Sequence, residues 1–171
     1  MSEKNALTLS IGVLGAVAVW LTGTLIPVPV WVVFIAWASF FILGGGRAGL
    51  LRSVLSNLTG IAIASLTLLV TQVFDLGLLL TGVAVGLGSA LMVQASRAGL
   101  LAAIPAIVWG FASTVGTVAV TGRPIASPFI GNPVLIVVVA MVLGGLFGIA
   151  SESLAGLIAS RRAPATQEDP A

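Results

Sequence analysis

The chain alternates between long apolar runs and short polar or glycine-rich breaks. Six runs stand out: Leu7 to Ile26, Val30 to Leu43, Leu50 to Val73, Leu76 to Ala95, Ala98 to Thr121 and Val134 to Ala150. At 1.5 Å of rise per residue, about 20 helical residues cross the ~30 Å hydrocarbon core of a bilayer. The second run is short and reaches that length only by extending through Gly44-Gly45-Gly46. Pro27 and Pro29 divide the first two runs, because proline cannot donate the helical hydrogen bond. Asp75 and Gly77 mark the turn after the third, and Gly122-Arg123-Pro124 opens a longer loop reaching Pro133. The pattern predicts an all-α polytopic membrane protein with a single six-helix transmembrane domain over residues 1–160. Its helices are expected to pair as three hairpins: first with second, third with fourth, fifth with sixth. Residues 161–171 are polar and are expected to form a disordered cytoplasmic tail. Lys4, an apolar core and Ala16-Val17-Ala18 resemble a signal peptide, but the apolar run continues past that site.

Within this frame lies a repeat. The segment Arg47-Ala48-Gly49-Leu50-Leu51 returns unchanged as Arg97 to Leu101, and a weaker copy, LAGLI, occupies Leu154 to Ile158. Each copy is expected to be a break between helix pairs. At an offset of fifty residues Gly60 meets Gly110, Thr67 meets Thr117 and Thr71 meets Thr121. Ser53, Asn57, Gly60, Ala64, Thr67 and Thr71 step by three or four, which places them on one helix face. The fifth run answers with Ala103, Gly110, Thr114, Thr117 and Thr121, and the first with Thr8, Gly12, Gly15 and Thr22. Two readings stay open. Small residues let helices approach closely in lipid, where packing replaces the hydrophobic drive. Alternatively, three equivalent helices surround a polar path, with Asn57, Gly60, Thr67, Gly110, Thr114, Thr117, Gly12 and Thr22 lining it. Asn57 is the most informative, because an amide within the membrane needs a partner. Elsewhere, Gly82 with Gly86 and Gly144 with Gly148 are expected to make small-xxx-small contacts. Trp37 and Trp109 suit packing, although either could narrow a pore.

Composition sharpens the class. Hydrophobic residues make up 58% of the chain and charged residues only 7%, with mean hydropathy +1.21. That leaves too little polar surface for a globule in water, where about a quarter of residues are charged. The charges themselves orient the chain. Lys4, Arg47, Arg52, Arg97, Arg161 and Arg162 fall on one side of a six-span threading, and Arg123 alone on the other. Cytoplasmic loops are enriched in Lys and Arg, so both termini are expected in the cytoplasm. Arg47, Arg97 and Glu152 cluster there, either as a surface ion pair or as a cytoplasmic mouth. No basic cluster large enough for nucleic acid is present. The chain has no histidine and no cysteine, which removes the commonest general base, the thiolate nucleophile and the commonest metal ligands. No metal site, cofactor or enzymatic activity is therefore expected.

Trp31-Val32-Val33-Phe34, Phe40-Phe41, Gly44-Gly45-Gly46 and Gly49-Leu50 resemble the YcdZ-like family of small bacterial inner-membrane proteins, a family of unknown function. The resemblance implies a multi-pass protein of the bacterial inner membrane and brings no catalytic residues. Three hairpins about an axis would also be similar in arrangement to proton-gated urea channels and acetate–succinate permeases, though none of their motifs is present. The expected function is a passive channel or facilitator for a small neutral polar solute, with a non-transporting membrane scaffold or partner subunit as the alternative. The expected partners are the lipid bilayer, the solute and further copies of the chain.

Overall fold

A computed structural model describes residues 2–160. They form α1 (Glu3–Thr24), α2 (Val30–Ile42), α3 (Gly46–Val73), α4 (Leu78–Ala95), α5 (Ile104–Thr121) and α6 (Pro133–Ser160), with 3-10 turns at Gly99–Leu101 and Phe129–Gly131. No strand occurs among the described residues. The polar tail, with Arg161 and Arg162, lies outside them. Five of the helices are long and apolar enough to cross a membrane. The exception, α2, has 13 residues and so a length of about 20 Å.

Local chemistry explains where the helices begin and end. The Ser2 hydroxyl caps α1 by accepting the Asn5 N–H. Gly44, Gly45 and Gly46 all adopt positive φ (92°, 68° and 60°), which only glycine does without steric cost, and the tight turn lets α3 start at Gly46 instead of Leu50. Pro105 occupies the first turn of α5, where its missing N–H has no intrahelical partner to lose. The helix therefore begins at Ile104 and not at Ala98. As a result the two identical RAGLL segments differ: the first lies within α3, whereas the second forms a turn and a 3-10 segment. The third copy, Leu154 to Ile158, is no break at all. It contains neither proline nor a positive φ, and α6 runs through it to Ser160.

The helices do not pack as three hairpins. The most extensive contacts are α3 with α5 and α2 with α6, and α1 lies mainly along α6. Among chain neighbours, α3 with α4, α5 with α6 and α2 with α3 make smaller contacts, and α1 hardly touches α2. Two hydrophobic clusters follow from this arrangement. One gathers Val33, Trp37, Val137 and Met141 between α2 and α6, with Ala18 of α1. The other gathers Ile63, Ala64, Ile107 and Phe111 between α3 and α5, with Met92 of α4. The cause is steric. Gly60 and Gly110 remove the side chains that would separate α3 from α5, and Gly144 and Gly148 do the same beneath α2. Gly82 and Gly86, expected to make a similar contact, instead face open space, and Gly88 is the α4 glycine that touches α3.

The outside is apolar. Leu78 and Leu79 of α4 are 92% and 82% exposed, and Trp20, Leu66, Val120 and Leu146 are exposed as well. Such a surface suits lipid contact and makes this a multi-pass membrane protein by composition and helix length. Glu3 and Leu7 of α1 share one end of the bundle with Gly44 and with Ala155 and Ala159 of α6. At the opposite end the Gln72 side-chain carbonyl accepts the Ile125 N–H at 3.0 Å.

Candidate functional site

The predicted stripe residues of α3 and α5 come together, but they close on one another. A methyl group added at Gly60 would collide with the Ile107 carbonyl and lie 2.7 Å from the Phe111 nitrogen. One added at Gly110 would collide with the Asn57 carbonyl and lie 3.0 Å from its Cα. Backbone therefore meets backbone across this seam. No water-filled path runs between helices in such contact, so the open polar lumen expected around α1, α3 and α5 is absent here. Nor is α1 equivalent to the other two. Gly12 is exposed with nothing near it, and Thr22, although buried, donates its hydroxyl to the Ala18 carbonyl of its own helix at 2.8 Å.

Two buried hydroxyls of the seam are satisfied within their own helices. Thr67 donates to the Ile63 carbonyl at 2.9 Å and Thr114 to the Gly110 carbonyl at 2.9 Å, the usual one-turn-back bond of threonine in a helix. Ser53 donates to the Ser39 hydroxyl at 2.8 Å, linking α3 to α2, and the Asn57 amide nitrogen donates to Ser53 at 3.4 Å. Among the described residues, four buried polar atoms have no protein partner: Ser56 Oγ, Asn57 Oδ1, Ser113 Oγ and Thr117 Oγ1. Each of these residues is at most 1% exposed. Ser56 and Asn57 belong to α3, and Ser113 and Thr117 to α5, the two helices that meet at Gly60 and Gly110. Leaving a buried polar group unsatisfied costs roughly 1–3 kcal/mol, so the cluster carries a definite energetic burden.

The basic end is organised differently. Glu152 accepts the Gly46 N–H at 2.7 Å, setting a carboxylate at the positive N-terminus of α3. Its partner among the described residues is thus a helix terminus rather than an arginine side chain. Glu152 also lines a cavity with Glu3, Leu7, Phe41 and Gly45. Arg47 and Arg97 are exposed and do not line it. The cavity draws on α1, α2 and α6, and shares no residue with the α3–α5 cluster. Among the described residues, no three His, Cys, Asp or Glu side chains converge.

Several buried polar residues escaped the sequence reading. Ser39 sits among the aromatic residues of α2, which masked it. Ser56 and Ser113 lie one helical step beside the residues chosen at Asn57 and Thr114. Ser10 donates to the Ser151 carbonyl at 2.7 Å, and the Trp37 indole N–H donates to the Ser151 hydroxyl at 3.0 Å. Trp37 also stacks on Phe34 and Phe147, so it is a packed core residue.

Residues 8–156 match the model of a family described as a protein of unknown function, DUF1097. The chain belongs to the DUF1097 family. The match runs from the first turns of α1 deep into α6 and so includes every residue of the α3–α5 seam. No curated protein and no solved structure matches the chain. Membership in DUF1097 brings no residue roles, and the arrangement likened to urea channels loses its basis because α1, α3 and α5 do not form a ring.

Proposed function

We propose that this DUF1097 protein is a facilitator that carries a small, neutral, polar solute across the membrane, holding it in the α3–α5 seam. The observation that carries the reading is the set of four buried, unpartnered atoms at Ser56, Asn57, Ser113 and Thr117. Three hydroxyls and an amide carbonyl can donate to and accept from an uncharged molecule. They offer no charge to neutralise an ion. The seam is closed, so the solute would enter through a rearrangement of helices rather than along a standing pore. Six spans with both termini in the cytoplasm of a bacterial inner membrane fit the concentration of Lys4, Arg47, Arg52 and Arg97 at one end of the bundle. The open outer face of α4 at Gly82 and Gly86 is where we place contact with a further copy of the chain. An enzyme is the least supported class, since Ser and Thr here have neither histidine nor a buried carboxylate to activate them.

A second reading is favoured by the closeness of the seam itself: a non-transporting scaffold in which Gly60 and Gly110 serve packing alone. Solute uptake into proteoliposomes, measured per correctly folded molecule over a panel of small neutral solutes, separates the two. The facilitator reading expects saturable uptake of at least one solute, strongly reduced in Asn57→Leu without loss of fold. Uptake indistinguishable from protein-free liposomes across the panel would move the assignment to the scaffold.

A further inference from the structure

The two halves of the chain, α1–α3 and α4–α6, make the same contacts. A shift of 84 residues carries Gly60 of α3 onto Gly144 of α6, and a shift of 74 carries Val33 and Trp37 of α2 onto Ile107 and Phe111 of α5. These residues face each other equivalently. A methyl at Gly60 would meet the Ile107 carbonyl and the Phe111 nitrogen, and one at Gly144 would meet the Val33 carbonyl and the Trp37 nitrogen. The same shift of 84 places every buried residue of α3, from Gly49 to Thr67, on a buried residue of α6, from Pro133 to Ser151. The shift of 74 places every buried residue of α2 on a buried residue of α5, and their first residues, Val30 and Ile104, coincide. The outer helices follow suit. Gly88 of α4 lies against the Thr67 hydroxyl, and Ser10 of α1 bonds to Ser151, the counterpart of Thr67.

The relation reverses direction. The start of α3 meets the last third of α6 through Gly46 and Glu152, while the end of α3 meets the segment before α6 through Gln72 and Ile125. So α3 and α6 are antiparallel, and the halves are related by a twofold axis across the bundle. An odd number of helices per half makes this an inverted-topology repeat, an arrangement in which two related units can exchange inward-open and outward-open forms about a central site.

We infer that the protein is built from two inverted three-helix units, and that its glycine seams, α3–α5 and α2–α6, open alternately to opposite faces of the membrane. The inference rests on the facilitator reading and specifies it as alternating access. The halves share backbone packing but not polarity. Ser56 and Asn57 correspond to Ala140 and Met141 by the shift of 84. The solute-holding groups thus lie in one seam, and the other supplies an apolar counterpart.

The native chain lacks cysteine, which makes a direct test available. Ser56→Cys and Ala140→Cys change small, fully buried residues at equivalent positions. Each variant, with folding checked by size-exclusion profile and thermal stability, is placed in sealed vesicles of both orientations and treated with a membrane-impermeant maleimide. The expected result is labelling of Ser56→Cys from the face carrying Arg47 only, and of Ala140→Cys from the opposite face only. In the double variant, modifying one site first should slow labelling of the other severalfold. Labelling of both from one face, of either from both faces, or of neither while a Ser96→Cys control in the loop after α4 reacts, overturns the inference, as do independent rates in the double variant. Uptake measured in vesicles that hold the native, cysteine-free chain keeps the two readings apart. Opposite labelling without uptake of any solute removes the transport assignment and leaves the exchange. Uptake with same-face labelling does the reverse.

Discussion

Adding one methyl group at Gly60 asks more of this fold than its size suggests. The new carbon would fall on the Ile107 carbonyl and within 2.9 Å of the carbonyl carbon behind it, with the Phe111 nitrogen at 2.7 Å. All three are backbone atoms of α5, so no rotamer change can relieve the contact. Carbon contacts are comfortable at about 3.5–4.0 Å, so α3 and α5 would have to part by roughly 1 Å or more along the seam. Overpacking of this kind costs about 1–3 kcal/mol and occasionally more. Gly12→Ala supplies the control, since nothing lies within 4 Å of the added carbon and a mid-helix glycine is about 0.5–1 kcal/mol worse than alanine. The two substitutions are chemically identical and should have opposite signs. In detergent, Gly60→Ala should lower the thermal midpoint by several degrees, given about 2–4 °C per kcal/mol for a chain of this length. Gly12→Ala should leave it unchanged or raise it slightly. A Gly60→Ala protein as stable as Gly12→Ala would refute the backbone contact on which the closed seam rests.

Two further outcomes follow from charge and composition. Single cysteines at Ser96 and Ser127 should label from opposite faces of intact cells, Ser96 from the cytoplasm and Ser127 from outside; external labelling at Ser96 would reverse the topology. Solute uptake should stay flat between about pH 5 and 8, because the chain contains no histidine, the side chain that ordinarily titrates there. A sharp gate in proteoliposomes within that window would contradict an uncoupled carrier of a neutral solute.

The polar face of α3 was legible because its members recur every three or four residues, and Gly60 and Gly110 do meet across a helix interface. Which helices pair was not legible. Gly12 and Thr22 recur at the same steps on α1, yet one is exposed and the other bonds to its own helix. Small residues at helical spacing permit close approach without naming the neighbour. Five-residue identity misled for a related reason: the RAGLL segments take their form from Gly44–Gly46 before one and Pro105 after the other. The relation between halves was hidden because it preserves burial and backbone proximity while exchanging Asn57 for Met141 and Phe40 for Thr114. Periodicity reports which face is buried, and identity reports shared chemistry. An inverted repeat with one polar and one apolar seam keeps the first and loses the second.

The contrast between seams also shows that the fold does not require its unpaired polar groups. Ala140 occupies in α6 the place that Ser56 holds in α3 by the shift of 84, and it is equally buried. Replacing Ser56 by alanine therefore imports a solution the backbone already uses. It would relieve an unsatisfied hydroxyl worth roughly 1–3 kcal/mol, against the loss of a few contacts of about 0.1–0.2 kcal/mol each. Ser56→Ala should thus be the more stable protein, by about 1 kcal/mol or more, with a thermal midpoint raised by a few degrees. If the hydroxyl serves a solute, uptake per folded molecule should fall in the same variant. Higher stability with unchanged uptake would place the ligand-holding role elsewhere in the cluster, at Asn57, Ser113 or Thr117. Lower stability would mean that the Ser56 hydroxyl is paired after all, and would remove one of the four atoms on which the facilitator reading stands. Greater stability joined to slower uptake is the signature of a group retained for function against the preference of the fold, a trade that active regions commonly make.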